Sequence, residues 1–317
     1  MEAKNNKFEF SVIIACYNPD SEKLKKTINS AVNQKNVRFE IIIADDGSRE
    51  NYRSEIMDYF REIGFEDYKL SFLQENSGTV CNILSGVKMS DADYIKTISP
   101  GDYFYDENSL SEYLKVFQTK GIDLIFSRAQ YFTPQYELLP LSAPANTVVF
   151  RNRFLTRNIV SYHDYVLGAA VAAKREIYGY LTQFIGKVKY LEDMPLTFLS
   201  LLDKKKVYAV NKKLVWYEYG FGISTNSTIS ELLKGDYDAF YAYLKENYKK
   251  KAKLSLKFFE INRQQGKWKR FIKKIFVSPL YLMYMVRKKF SKNKIAENEI
   301  EILKKITKLS DKDYEYT

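Results

Sequence analysis

Two pairs of acidic residues carry the chemistry most legible in this chain. Asp45-Asp46-Gly47-Ser48 follows the apolar run 39–44. A short apolar run ending in Asp-Asp-Gly reads as a buried strand that opens into a tight turn. Ligands of open α/β sheets bind in the crevice beyond such strand ends, so these carboxylates can accept hydrogen bonds from a ligand. A solvated turn closed by an Asx-type bond fits the same residues. The second pair, Glu192-Asp193, precedes the apolar stretch 195–202. Acids at a helix start are favoured by the helix dipole alone, and a carboxylate there can also act as a general base. A third acid, Asp102, follows the run 94–98 across Ser99-Pro100-Gly101. The one histidine, His163, lies in Ser161-Tyr162-His163-Asp164-Tyr165 and reads as structural or acceptor-facing rather than catalytic.

Alternating strand-like and helix-like runs must position these groups. Residues 10–16 read as a first strand, and Asp20-Ser21 caps a helix to about residue 34 with Leu24, Ile28 and Ala31/Val32 on one face. Strands are expected at 41–44, 70–73, 94–98 and 124–126, and helices at 51–63, 79–89 and 109–118. This alternation over 8–130 predicts a mostly parallel sheet covered by helices. Residues 131–225 are mixed. The run 168–173 fits a strand or a tight helix start, 195–202 fits a helix with Pro195 in its first turn, and 207–217 fits a further strand pair. From Ile229 the pattern turns helical and basic. The first strand leads into Ala15-Cys16-Tyr17-Asn18-Pro19, which excludes the glycine-rich dinucleotide fingerprint and the P-loop lysine.

The 317 residues suffice for one large domain or two, and 26 Tyr and 21 Phe supply core filling as well as stacking surfaces. Cys16, Cys81 and a single His offer neither zinc spacing nor a disulfide framework, which reads as an intracellular protein. No signal-peptide pattern is visible, and no apolar run approaches the ~20 residues that span a bilayer. The net charge of +11 is concentrated: residues 245–294 hold 17 Lys/Arg against two Glu, while the remainder is slightly acidic. Within that block, 269–276 mixes basic and apolar residues at helical spacing. The 12-residue apolar run 275–286 follows, then Arg287-Lys288-Lys289. Together with Trp268 and Tyr281 this suits a helix lying in the interface of an anionic membrane. A basic helix packed by its apolar face on the preceding domain fits as well, and no nucleic-acid-binding module is recognisable.

Taken in order, the segments resemble the nucleotide-sugar glycosyltransferases of family 2, which have the GT-A fold. Ser11-Val12-Ile13-Ile14-Ala15-Cys16-Tyr17-Asn18 resembles the family's opening strand, Asp45-Asp46-Gly47-Ser48 its second-strand motif, and Asn76-Ser77-Gly78 with Gly86 its third segment. Tyr94-Ile95-Lys96-Thr97-Ile98-Ser99-Pro100-Gly101-Asp102 falls where the family carries its metal site, and Glu192-Asp193 where it carries its catalytic base. The resemblance covers about 8–225. It implies a catalytic domain over 8–228, with a nucleotide-binding half (8–130) and an acceptor half (131–228), followed by a helical basic region over 229–317.

The resemblance further implies an inverting transferase that moves a sugar from a UDP-sugar to a saccharide or lipid-linked acceptor, as in bacterial capsule and cell-wall synthesis, at the cytoplasmic face of the membrane. On that reading Asp193 is the base. Ala15, Tyr17, Asn18, Asp46, Asn76, Gly78 and Asp102 bind the donor, with Asp46 taking the uracil imide hydrogen and Asp45 bracing the turn. Glu192, His163 and Trp216 face the acceptor, and the stretch from Trp216 to Thr225 resembles a loop closing over donor or acceptor. Two departures stand out: Ile83 and Leu84 replace an Arg-Asn pair, and Gly101 replaces the usual metal-binding Asp. Asp102 is then left to hold a divalent cation, Mg or Mn, and a metal-free mechanism with a basic side chain is the alternative. A dTDP- or GDP-sugar donor, or a non-catalytic nucleotide- or saccharide-binding domain, are the rival functions.

Overall fold

The computed structural model describes residues 7–140, 162, 167–220, 227–290 and 294–307. Strand β1 (Phe8–Cys16) and strand β2 (Phe39–Asp45) are almost wholly buried, as expected of parallel strands covered on both faces. Side chains alternate across β1. Phe10, Val12 and Ile14 join a core on one side of the sheet, packed by helices α1 (Ser21–Val32), α2 (Arg53–Glu62) and α4 (Ser109–Lys120). Ile13 joins a second core on the other side, with helix α3 (Thr79–Met89) and helix α5 (Asp193–Leu202). Asp20 caps α1 by accepting from Lys23 N at 2.9 Å.

The sheet is completed by β3 (Tyr68–Phe72), β4 (Ala92–Ile98), β5 (Tyr103–Phe104), β6 (Leu124–Phe132), β7 (Leu138–Leu139), β8 (Val171–Lys174) and β9 (Val207–Glu218). Its order is β3-β2-β1-β4-β8-β6-β9-β5, with β7 on β6. The expected mostly parallel sheet is therefore mixed. β1 to β4 pair in parallel, and β6 pairs in parallel with β9, whereas β8 runs antiparallel between β4 and β6, and β5 antiparallel to β9. Both readings of 168–173 hold in part: a 3-10 turn at Gly168–Ala170 feeds β8 directly. Residues 207–217 form one long strand rather than a pair, irregular near Arg128 where it meets β6. A 3-10 run at Arg175–Phe184, where no element was expected, buries Ile177, Tyr178, Leu181 and Phe184 on one side.

The basic C-terminal region forms helices α6 (Ser227–Asn247), α7 (Lys253–Asn262), α8 (Lys267–Val277), α9 (Leu280–Phe290) and α10 (Glu299–Thr307). The core runs across the expected 228/229 boundary. Phe240, Leu244, Phe258, Tyr281 and Tyr284 share a cluster with Leu196 and Phe198 of α5. Leu303 and Ile306 of α10 pack on Tyr103, Phe132 and Trp216. The apolar run 275–286 is not one helix, because Pro279 follows α8 and cannot continue it. No helix among the described residues is long and apolar enough to cross a membrane.

Candidate active site

At the carboxyl edge of β1 and β2 the two aspartates divide their labour. Asp45 accepts from Ser48 N at 2.9 Å, from the Ser48 hydroxyl at 2.5 Å and from the Tyr52 hydroxyl at 2.8 Å, so it braces the turn, as its resemblance role requires. Asn18, with φ +44°, joins the two strand-end loops: its N–H reaches Ser48 Oγ at 2.7 Å, and its Oδ1 accepts from Arg49 N at 2.9 Å. Asp46 turns the other way. Its carboxylate accepts from Ser77 N at 2.8 Å and from Gly78 N at 2.8 Å. Burial holds the Asp46 carboxyl above its ordinary range, while the Ser77 and Gly78 N–H groups and the nearby Lys189 charge oppose that shift. Asn82, on the first turns of α3, donates to Cys16 O and Ala44 O and so ties both strand ends to the helix. No periodicity or motif had singled it out.

The Asp46 carboxylate thus holds the turn that starts α3, and that turn abuts the segment leading to the second acidic pair. Gly78 has φ +91°, and a β-carbon there would lie 2.6 Å from Lys189 O, so glycine is required both for the conformation and for the close approach. Val80 N donates to the same carbonyl. Segment 189–191 is gripped from its far side by Asp236 of α6, whose buried carboxylate accepts from Lys189 N at 3.0 Å, Tyr190 N at 2.6 Å and Leu191 N at 3.0 Å. Asp236 and Lys189 were absent from the sequence reading. One acid among several on a helix carries no local sign that it will bind a loop some 45 residues away.

Glu192 and Asp193 follow at the start of α5. Asp193 accepts from Met194 N at 2.6 Å, and both carboxylates lie against Gly168, where a β-carbon would sit 3.1 Å from Glu192 Oε1. Burial raises both carboxyls above their ordinary range. For Glu192 the neighbouring Asp193 and Asp236 charges add to the rise; for Asp193 the N–H groups of Met194 and Gly168 oppose it. A carboxylate with a raised pKa is a better proton acceptor near neutral pH than an ordinary one.

Residues 11–177 match the family model described as Glycosyl transferase family 2. The chain belongs to glycosyltransferase family 2. An uncharacterized glycosyltransferase of Rickettsia conorii is 32% identical over 95 residues, which cover 30% of this chain and 15% of the relative. The poly-beta-1,6-N-acetyl-D-glucosamine synthase of Staphylococcus epidermidis is 29% identical over 97 residues, covering 31% of this chain and 23% of the relative. The chain thus spans only a small part of the length of these two relatives. Among solved structures, S. aureus TarS 1-349 superposes with TM-score 0.54 at 15% identity, covering 94% of this chain and 90% of that one. The same TarS fragment in complex with UDP-GlcNAc gives 0.52 at 14% identity with the same coverage. The fold is accordingly that of the GT-A glycosyltransferases.

Within this family 2 frame the β4 corner departs most from expectation. Asp102 is turned into the protein and 8% exposed. Burial pushes its carboxyl up to about 8, against the Glu218 N–H and the charge of Lys96. Lys96, fully buried on β4, is pushed down to about 7 by burial, and it donates to Thr97 O and Ala169 O. It thereby links this corner to the 168–170 turn beneath Asp193. Gly101 has φ +97°, and a β-carbon there would lie 2.6 Å from Glu218 Oε2. Both Glu218 oxygens accept from Lys23 Nζ at 2.8 Å, so an ion pair fills the space that a side chain at 101 would need.

By themselves these side chains do not make a complete cation site. Asp102 faces inward, Glu218 is engaged by Lys23, and among the described residues no three His, Cys, Asp or Glu side chains converge on a point. Gly101→Asp, which restores the family-like residue, is expected to lose about 1–3 kcal/mol of stability from the positive φ and the clash with Glu218. Urea denaturation measures this, and a variant as stable as the parent would show that the corner accepts a second carboxylate.

The other expected site residues divide by exposure. Ala15 is half-buried and packs against the core, and Tyr17 is exposed just past the end of β1. Asn76 places a buried Oδ1 without a hydrogen-bond partner beside the Ser77-Gly78 turn. Trp216 does not face an acceptor: it is fully buried, stacks on Tyr105 with ring centroids 4.7 Å apart, and donates from Nε1 to Tyr105 O at 2.9 Å. An aromatic-rich stretch reads alike in a binding loop and in a core strand, and here β9 carries it inside. Ile83, at the position of the missing Arg, is buried in the core. His163 and residues 221–226 lie outside the described residues.

Proposed function

We propose that this family 2 chain is an inverting transferase that moves a sugar from a UDP-sugar to a saccharide or lipid-linked saccharide acceptor in surface polysaccharide synthesis, working at the cytoplasmic face of a membrane. One observation carries the reading: the continuous backbone path from the Asp46-held Ser77-Gly78 turn, through segment 189–191, to Glu192-Asp193. The carboxylate proposed to bind the nucleotide and the candidate base are thereby linked through adjoining segments at the sheet's carboxyl edge. The UDP-GlcNAc complex of TarS supports the choice of donor class.

In the proposed step the acceptor hydroxyl oxygen attacks the anomeric carbon from the face opposite the diphosphate. The new C–O bond forms as the bond to the β-phosphate oxygen breaks. Asp193 takes the hydroxyl proton, and UDP departs with the bonding electron pair. Asp46 accepts the uracil N3–H, a charge-assisted bond that also suits thymine, so a dTDP-sugar is the nearest rival donor.

Thermal shift with a panel of nucleotides tests the reading. UDP and UDP-sugars should raise the melting temperature by mass action, GDP should not, and the shift should be the same with excess chelator as with manganese. A shift that requires manganese would return a metal to the site. No shift with any nucleotide would remove the donor assignment. If a donor binds but is neither transferred nor hydrolysed, the chain is a nucleotide-binding domain without catalysis.

A further inference from the structure

The C-terminal helices present a surface that the core does not use. On α8, Phe271 and Ile275 turn inward against the hydrophobic core, with Phe271 packing toward Tyr281. Trp268, Ile272 and Phe276 recur every fourth residue on an outward stripe and are 78%, 51% and 81% exposed. Such spacing places them on one face. On α9, Tyr281 and Tyr284 are buried while Leu282, Met283 and Val286 are exposed, which adds a second apolar patch. The exposed lysines Lys267, Lys269 and Lys273 lie among the stripe residues. No Asp or Glu occurs from 261 to 296.

Large exposed side chains of this kind are costly in water unless something covers them. The chemistry around them narrows the occupant. A mostly basic surround, in which Lys257 and Lys273 outnumber Glu260 in the groove beside Phe276, attracts an anionic partner, and a Trp and a Phe projecting between lysines suit the headgroup–acyl boundary, where aromatic rings bury their apolar bodies and basic side chains meet lipid phosphates. We infer that α8 and α9 form a membrane-docking face, with Trp268, Ile272 and Phe276 inserting into an anionic lipid surface. The break after Val277 serves this arrangement: it lets α9 bury Tyr281 and Tyr284 in the core while α8 leaves its stripe free. The surface itself is read from α8 and α9; only its use, bringing the enzyme to a lipid-linked acceptor, rests on the proposed function.

Flotation of the full chain with vesicles decides the matter. Binding to phosphatidylcholine vesicles containing phosphatidylglycerol should exceed binding to pure phosphatidylcholine, and it should weaken with salt without vanishing, because salt screens the lysines but not the buried stripe. The triple variant Trp268→Ser, Ile272→Ser, Phe276→Ser should lose at least tenfold in vesicle binding, with the UDP-induced thermal shift unchanged because these residues lie outside the core. Equal flotation of triple variant and parent overturns the inference. So does a concentration-dependent dimer that the triple variant abolishes, since a second copy would then cover the face. Binding that appears only after removal of residues 308–317 overturns it as well. Loss of the UDP shift in the parent would sink the nucleotide-sugar reading and leave flotation as an independent result.

Discussion

Asp193→Asn is expected to lower transfer by ~10²–10⁴, the usual contribution of a positioned general base, while UDP affinity stays within a few-fold of the parent. The amide fills the same space and can still accept from Met194 N, but it cannot take the acceptor proton. The pH profile sharpens the expectation. Burial raises the Asp193 carboxyl above its ordinary range, and the base works only when ionised. Transfer by the parent should therefore fall as pH is lowered through a value above that of a free carboxylate, with the rate proportional to the ionised fraction. Glu192 is pushed up as well, by burial first and by Asp193 and Asp236 next, so one carboxyl of the pair retains its proton while the other ionises. The residual rate of the variant should lack the acid limb. Transfer within a few-fold of the parent, measured with a radiolabelled donor, would move the base to another residue.

Asp46→Ala is expected to act on stability and on binding together. Its carboxylate is the acceptor for Ser77 N and Gly78 N, and an unpaired buried N–H costs about 1–3 kcal/mol. Urea denaturation should show a loss of that order. Calorimetry should show weaker UDP binding, because the imide hydrogen loses its acceptor and the turn that approaches the nucleotide loosens. Asp46→Asn separates the two effects. Its amide oxygen still accepts from the turn, so most of the stability should return. Its NH₂ offers donors where the imide needs an acceptor, so UDP affinity should not return. Unchanged affinity in both variants would place the base-recognition carboxylate elsewhere.

The candidate site was legible in the sequence where local chemistry and position coincide. Asp45-Asp46 ends an apolar run, and a buried parallel strand can end in no other place than the ligand edge of the sheet. Glu192-Asp193 opens a helix, which fixes its position at a helix N-terminus whatever the tertiary arrangement. The wound β1–α1–β2–α2 half followed for the same reason: alternating apolar periods specify which face of each element is buried. The charge of the C-terminal block was visible as well, since composition needs no fold.

What only the tertiary structure decided is which groups face one another across long separations. Asp236 gripping segment 189–191, Lys189 abutting Gly78, Lys96 linking the Asp102 corner to the 168–170 turn, and Glu218 with Lys23 filling the space beside Gly101 join residues tens to nearly two hundred positions apart. Burial was equally undecidable locally. Trp216 and Asp102 are residue types that serve sites and cores alike, and the path of the chain sent both inward. In the C-terminal region the apolar positions did not reveal which would meet the core. Pro279 separates α8 from α9; Tyr281 and Tyr284 joined the core cluster that holds Phe258, and α8 packed on it through Phe271 and Ile275, leaving Trp268, Ile272 and Phe276 facing out. Hydrophobic burial is non-directional; it commits an apolar side chain to leave water, but the packing of neighbouring elements selects the surface that receives it.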